Sequence, residues 1–174
     1  MMKSKSPDES RTIMNELVLP NDTNTLNNLM GGRLLYWMDI AAAITAQKHC
    51  NSIVVTASVD NVSFKHPIKL GDLVSIEAQV TRAFTTSLEI RMTVWAQNLR
   101  TGTKVRSNTA YYTFVAIDDQ GKKKKIPQLV PETEAQKQLY EDALRRRELR
   151  LVLAGKMKPS DAKGILNLFA ENQA

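Results

Sequence analysis

Between Leu34 and Ala46 the chain is apolar on almost every side of a helix, interrupted by one acid, Asp39. A helix of that composition has no solvent stripe, so it asks for burial all round and for other elements to wrap it. A carboxylate in such surroundings is costly unless it is paired, hydrogen-bonded or used in chemistry. The run belongs to a longer stretch, Pro20–Lys48, in which a loop rich in Asn, Asp and Thr passes through Met30-Gly31-Gly32 into the helix. Such polar side chains bond to nearby backbone and favour turns and caps. Glycines at a helix entry permit close backbone approach, and the first N–H groups there point outward with a partial positive charge. That end suits an anion or a carbonyl oxygen. The plainer alternative is that the glycines only allow tight packing where the loop enters the core.

What could wrap the helix is legible on either side of it. Arg11–Leu19 places Ile13, Leu17 and Leu19 on one parity, a first strand. From Ser52 the period changes to two and holds for most of the next stretch. Ser52–Lys65 is a strand ended by His66-Pro67, and Leu70-Gly71-Asp72 is a turn. Val74, Ile76, Ala78 and Val80 then alternate with polar residues, as do Leu88, Ile90, Met92, Val94 and Ala96. After the turn at Thr101-Gly102-Thr103, a last strand runs from Lys104 to Ile117. Strand, helix and an antiparallel meander of four strands predict an α+β domain over residues 11–127. Beyond it, a helical extension occupies 128–174. Glu132–Leu153 reads as a helix with Leu139, Ala143, Leu144 and Leu151 as contacts. Gly155 stops it, and Pro159-Ser160-Asp161 starts a shorter one through Leu166, Leu168 and Phe169.

Composition narrows the partners. With 174 residues, a net charge of +6 and a pI near 9.5, the chain favours an anionic partner: nucleic acid, a membrane surface or a phosphorylated small molecule. The aromatic residues Trp37, Trp95, Tyr111 and Phe114 do not interleave with basic ones, which argues against a nucleic-acid platform. Lys122–Lys125 and the basic run Arg145–Arg150 read as solvated faces, with a phosphate contact as the alternative. Cys50 is the single cysteine, so no intrachain disulfide forms, and no Cys/His spacing suits zinc. His49 and His66 sit at element ends with no Ser or Cys arranged as a nucleophile. Without a signal-peptide core or a membrane-spanning run, the expected location is cytoplasmic.

Several blocks taken in order, PNDTN, the diglycine, the MD within the helix, VDNVSFKHPIKLGD, VWAQN and YYTFVAID, resemble the hotdog-fold acyl-CoA thioesterases of the cytosolic acyl-CoA hydrolase type. The resemblance implies a long helix wrapped by a curved antiparallel sheet of five to six strands. It also implies subunits paired edge to edge with active sites at their interface, and dimers that assemble further into hexamers. It puts the catalytic carboxylate on Asp39, its polar partner on Asn24 and the carbonyl-polarising amides at Gly31 and Gly32. The loop Phe84–Ser87, with Thr85, Thr86 and Ser87, matches a segment that approaches coenzyme A, and Arg82 stands beside it. That loop reads AFTTS here where some relatives carry a glycine and a basic residue.

The implied activity is hydrolysis of acyl-CoA to a fatty acid and coenzyme A, with no metal and no cofactor apart from the coenzyme A of the substrate. Asp39 acts as general base to a water, or attacks directly through a mixed anhydride. Asp39 lies seven residues beyond Gly32, so about 10 Å along one helix at about 1.5 Å per residue. Both cannot serve one carbonyl, so if both are catalytic a single site takes the amide from one subunit and Asp39 from the other, and the resemblance puts Asn24 on the subunit adjacent to that Asp39. Three other readings stand beside this one: a non-catalytic acyl-CoA-binding module that regulates a partner, nucleic-acid binding through the basic tail, and an Asp39 that is only a buried acid bonded to Thr, Asn or backbone.

Overall fold

The structure of the chain, a computed structural model, describes residues 3–60, 62–64 and 66–171. It divides into two compact units, Met1–Val130 and Pro131–Ala174. The first contains strand β1 (Thr12–Leu17), helix α1 (Gly31–Cys50) and strands β2 (Ile53–Asp60), β3 (Asp72–Ala83), β4 (Ser87–Asn98) and β5 (Lys104–Ile117).

All five strands form one antiparallel sheet in the order β1-β3-β4-β5-β2. This corrects the expected meander in one respect: β2 pairs with β5, Ile53 opposite Ile117 and Asp60 opposite Tyr111, and not with β3. The reason is the length of α1. Its 20 residues reach about 30 Å, across the sheet, before the chain can turn. Asn51 then adopts a left-handed conformation (φ 48°), and only Asn51 and Ser52 separate helix from strand. β2 must therefore start beside the end of β5, where the Ser52 hydroxyl donates to Ile117 O at 2.8 Å. The strand is also shorter than the Ser52–Lys65 expected. It stops at Asp60, and Asn61 and Lys65 lie outside the described residues.

The inward parities of β3, β4 and β5 supply the core, including Val74, Ile76, Ile90, Met92, Tyr112 and Phe114, all at most 1% exposed. Each side chain of this size contributes about 1.5–3 kcal/mol on burial. Against them α1 sets Leu34, Trp37, Met38, Ala41, Ala42, Ala46 and His49, spaced by three and four. The alanines bring the helix close to the sheet. Burial all round, which the sequence implies for α1, is not met within one protomer, because the sheet covers one face. Tyr36 is 56% and Ile44 41% exposed on the other. The two edge strands behave alike. Ile13 and Leu17 of β1 and Ile53, Val55 and Val59 of β2 are exposed, so the apolar parity expected to bury β1 faces outward. Three register shifts, at Thr56/Ser58, Val80/Arg82 and Val94/Trp95, bend the strands around α1. A sheet wrapped on one long central helix is the hotdog arrangement.

The second unit is a helical pair. Helix α2 (Glu134–Leu153) begins two residues later than the sequence suggests because Thr133 caps it. The Thr133 hydroxyl accepts from Gln136 N, and the Gln136 side chain accepts from Thr133 N. Helix α3 (Lys163–Glu171) follows a short turn at Pro159–Asp161, and the Glu148 carboxylate of α2 accepts from Ile165 N at 3.1 Å. No helix among the described residues is long and apolar enough to cross a membrane.

Candidate active site

The loop ahead of α1 is held by its own acids and amides. Pro20–Asp22 forms one 3-10 turn, and the carboxylate of buried Asp22 accepts from Leu19 N at 3.0 Å and pairs with Arg33 Nε. Burial alone would raise the Asp22 pKa. The Arg33 guanidinium and the Leu19 N–H outweigh it and hold the carboxyl below the usual carboxylate value. The Asp22 carbonyl accepts from Met30 N at 2.9 Å, which fastens the start of the loop to the helix entry. Within the loop Asn24 Oδ1 accepts from Leu26 N at 2.9 Å and Asn28 N at 3.2 Å. Its Nδ2 has no partner among the described residues, and the residue is exposed.

At the entry itself the Arg33 and Leu34 N–H groups both turn back to Met30 O, at 3.0 and 3.1 Å. Neither Gly31 N nor Gly32 N has an acceptor among the described residues, and Met30 provides no side-chain cap. Two donors thus remain at the positive end of a 20-residue helix. Beside them opens a cavity of about 340 Å³ whose walls include Leu29, Gly31, Leu34, Phe64, Ile68 and Ser107. A Cβ on Gly31 would lie 3.2 Å from Phe64 Cζ, a tight contact that Phe64 would have to relieve by a few tenths of an ångström. A Cβ on Gly32 would meet nothing within 4 Å.

Two turns farther along α1, Asp39 is half-buried, and the hydroxyl of Thr56 on β2 donates to its Oδ1 at 2.8 Å. Thr56 immediately precedes the irregularity in the β2–β5 register. Burial pushes the hydroxyl of Tyr112 up to about 12, with the Asp39 charge adding to the shift, so this phenol stays protonated at neutral pH. Thr56 is the site residue that sequence reasoning missed. Threonine is common in strands, and the bulge leaves no mark in the sequence. What the sequence did offer was the possibility of an acid bonded to a Thr; it did not say which.

The turn Phe84–Thr86 joins β3 to β4, closed by Phe84 N donating to Ser87 O at 2.7 Å. Its carbonyls are occupied: Thr86 O accepts from Ala116 N and Thr85 O from Ile126 N. Ser87 is buried, Thr85 exposed, and the Arg82 guanidinium carbon lies 5.7 Å from the centre of the Phe84 ring. Ala83, Leu88, Phe114 and Thr56 stand opposite one another across β3, β4, β5 and β2. The turn is therefore at the Thr56 end of the sheet, with two strand spacings, about 10 Å, from β4 to β2.

Within one protomer, then, Asp39, Thr56 and the 84–87 turn lie toward one end of the sheet. The Asn24 loop, Gly31, Gly32 and the cavity lie at the entry of α1. The other titratable candidates are placed elsewhere. His49 is buried near the end of α1 with Nε2 3.0 Å from Pro127 O, and burial lowers its pKa. Burial also raises the Cys50 thiol to about 11, which keeps it an unreactive thiol. Among the described residues no three His, Cys, Asp or Glu side chains converge on a point where a metal would sit. Lys122–Lys125 are exposed around a turn closed by Asp118.

Comparison with known proteins follows the same lines. A model of the Thioesterase superfamily matches residues 26–103. An uncharacterized acyl-CoA thioester hydrolase of Bacillus subtilis, YkhA, is 41% identical over 138 residues, covering 79% of this chain and 80% of that one. A solved hexameric acyl-CoA thioesterase, in its apo form, superposes with a TM-score of 0.85 at 44% identity, over 88% of this chain and 98% of its own. An acyl-CoA hydrolase of Staphylococcus aureus, solved with butyryl coenzyme A, coenzyme A and coenzyme A disulfide, gives 0.81 at 36% identity over 96% and 99% of the two chains. The Staphylococcus enzyme has also been solved with an aspartate, a threonine or an asparagine replaced by alanine.

Proposed function

The chain belongs to the thioesterase superfamily, and on that footing we propose that it hydrolyses acyl-CoA to a free carboxylic acid and coenzyme A. The hydrogen bond from Thr56 to Asp39 carries this reading. It holds one carboxylate oxygen and leaves the other for a water, which is the arrangement a general base needs. The aspartate, threonine and asparagine chosen for replacement in the Staphylococcus enzyme are matched here in residue type by Asp39, Thr56 and Asn24.

In the proposed reaction Asp39 takes a proton from water as its oxygen attacks the thioester carbon. The carbonyl oxygen, gaining negative charge, is met by the N–H groups at Gly31 and Gly32. Collapse breaks the C–S bond, and the leaving thiolate of coenzyme A recovers the proton from Asp39. The Asn24 amide, free at Nδ2, orients the water or the carboxylate. Arg82, Thr85, Thr86 and Ser87 hold the coenzyme A portion, and the positive net charge favours its phosphates. No metal and no separate cofactor enters the scheme.

Seven residues of one helix separate Gly32 from Asp39, so each site draws its amides from one subunit and its Asp39 from the other, and the family resemblance adds Asn24 on the side of the amides. The exposed Tyr36 and Ile44 of α1 and Ile53, Val55 and Val59 of β2 supply the apolar surface for that pairing. The dimer belongs to a hexamer in this reading, which the hexameric state of the apo acyl-CoA thioesterase it resembles supports, and the protein works in the cytoplasm. The decisive experiment is free-thiol release from acyl-CoA by Asp39→Ala. No turnover in a variant that still assembles is expected, and normal turnover would end the assignment.

A further inference from the structure

Phe64, His66, Pro67 and Ile68, all on the loop between β2 and β3, stand around the cavity beside the helix entry, and the hydrolytic scheme uses none of them. The second half of this loop is pinned to the chain ahead of α1. Leu29 N donates to Ile68 O at 2.7 Å and Leu70 N to Asn27 O at 3.0 Å. From β5 the Ser107 hydroxyl donates to His66 O at 3.4 Å. The loop is thus held against Leu29, Gly31 and Leu34 with a space of about 340 Å³ between them. Leu34, Ile68 and Ser107, each at most 4% exposed, close its inner side, and Phe64, 52% exposed, stands at its rim. The tip of the Phe64 ring points at the helix entry: Cζ, Cε2 and Cε1 lie 3.2, 3.4 and 3.7 Å from where a Cβ on Gly31 would be. Between ring and helix there is room for the Gly31 backbone, and a further methyl fits only if the ring moves.

From this geometry we infer that Phe64 selects straight acyl groups over those branched at C2, the carbon next to the thioester carbonyl. The inference rests on the acyl-CoA hydrolase reading and on the placement of the carbonyl oxygen at the Gly31 and Gly32 N–H groups. An oxygen accepting from those amides brings the carbonyl carbon and C2 up to the Gly31 backbone, where the tip of Phe64 is the facing wall. A C2 with two hydrogens passes along the ring into the space lined by Leu29, Leu34 and Ile68. A methyl on C2 competes with the ring for the gap at Gly31. One carbon too many in an apolar pocket typically costs about 10- to 200-fold in kcat/KM. Phe64 moves no proton; it is a specificity residue that touches the acyl group.

The test is thiol release from straight-chain acyl-CoAs, butyryl to palmitoyl, and from the 2-methyl derivative of each, reading kcat/KM for wild type, Phe64→Leu and Phe64→Ala, with a melting curve for each protein. Intrinsic thioester reactivity cancels when the branched to straight ratio for one main chain is compared between proteins. That ratio is expected to rise on the order of tenfold in Phe64→Ala and by less in Phe64→Leu. A folded Phe64→Ala with an unchanged or lower ratio overturns the inference, and an equal loss on both substrates counts as unchanged. Phe64 is half exposed, so both variants should fold. Should Phe64→Ala not fold, Phe64→Leu decides by the same criterion. Wild type that releases no thiol from any acyl-CoA removes the hydrolase reading and this inference with it, which is a different result from an unshifted ratio.

Discussion

Thr56 donates its hydroxyl to Asp39 Oδ1 at 2.8 Å, from the edge strand β2 to the central helix α1. The bond fixes the rotation of a carboxylate that helix packing alone leaves free on a half-buried face. Removing it should spare binding and harm the chemical step. Thr56→Val is expected to lower kcat by roughly 10- to 100-fold with KM within a few-fold, and Thr56→Ser to restore most of the loss. Steady-state thiol release on the three proteins checks this; a Thr56→Val that raises KM alone would instead make Thr56 a substrate contact.

A positioned general base typically contributes 10²- to 10⁴-fold, so Asp39→Asn should lose activity by about that factor. The base and anhydride routes also separate by isotope. In one turnover in ¹⁸O-labelled water with enzyme in excess, the base route sends the label to the carboxylic acid product and none to Asp39. Mass spectrometry of the peptide containing Asp39 reads the outcome, and label found there would establish the anhydride route.

Division of each site between two subunits has a quantitative signature. Asn24→Ala and Asp39→Ala variants, each inactive alone, should regain activity when unfolded together and refolded at equal amounts. Half the dimers are then mixed, and each mixed dimer has one intact site of two, giving roughly a quarter of wild-type activity. Sites contained in single subunits would show no recovery.

The amides at the helix entry can be tested without altering side-chain chemistry. Gly32 has open space around its Cβ position, and proline is tolerated in a first helical turn. Gly32→Ala should fold and retain turnover within a few-fold. Gly32→Pro, which removes the N–H, should keep its melting temperature within a few degrees and lose about 10²- to 10³-fold in kcat if that donor receives the oxyanion. Equal rates for the two variants would transfer the role to Gly31.

Asp22 makes the stability of this loop depend on acid. Its folded pKa lies below the usual 3.8 because Arg33 and the Leu19 N–H favour the charged form over the effect of burial. A depressed carboxylate contributes stability above its unfolded pKa, and that contribution is lost as pH falls through the folded value. Wild type should therefore lose Tm as the pH drops from about 4 downward. Asp22→Asn should be less stable at neutral pH and show a flatter acid limb. Thermal melts from pH 2 to pH 7 compare the two slopes.

Much of this was readable before any coordinate. The period-two stretches became β3, β4 and β5 nearly where Val74–Val80, Leu88–Ala96 and Lys104–Ile117 put them, because each buries one parity against a helix. Asp39 stood out because an acid in an apolar helix is chemically conspicuous. Strand order was not readable. Nothing in Ser52–Lys65 says which neighbour it will choose, and the answer depends on where a 20-residue helix releases the chain. Thr56 was hidden for a related reason: it takes its place beside the Thr56/Ser58 register shift, and a bulge is a property of paired strands.

The strand order also bears on how far this sheet can grow. Its two edges are β2 and β1, at opposite ends. Two copies joined through β2 would form one continuous sheet of ten strands, terminated on both sides by β1. That strand has only six residues, carries Asn15 and Glu16, and is followed after Leu19 by Pro20. A six-residue edge strand that carries Glu16 and runs on into Pro20 is a poor template for further pairing. Addition of strands would then stop at the pair, and a protein with two edges per chain would be protected from polymerising into fibres.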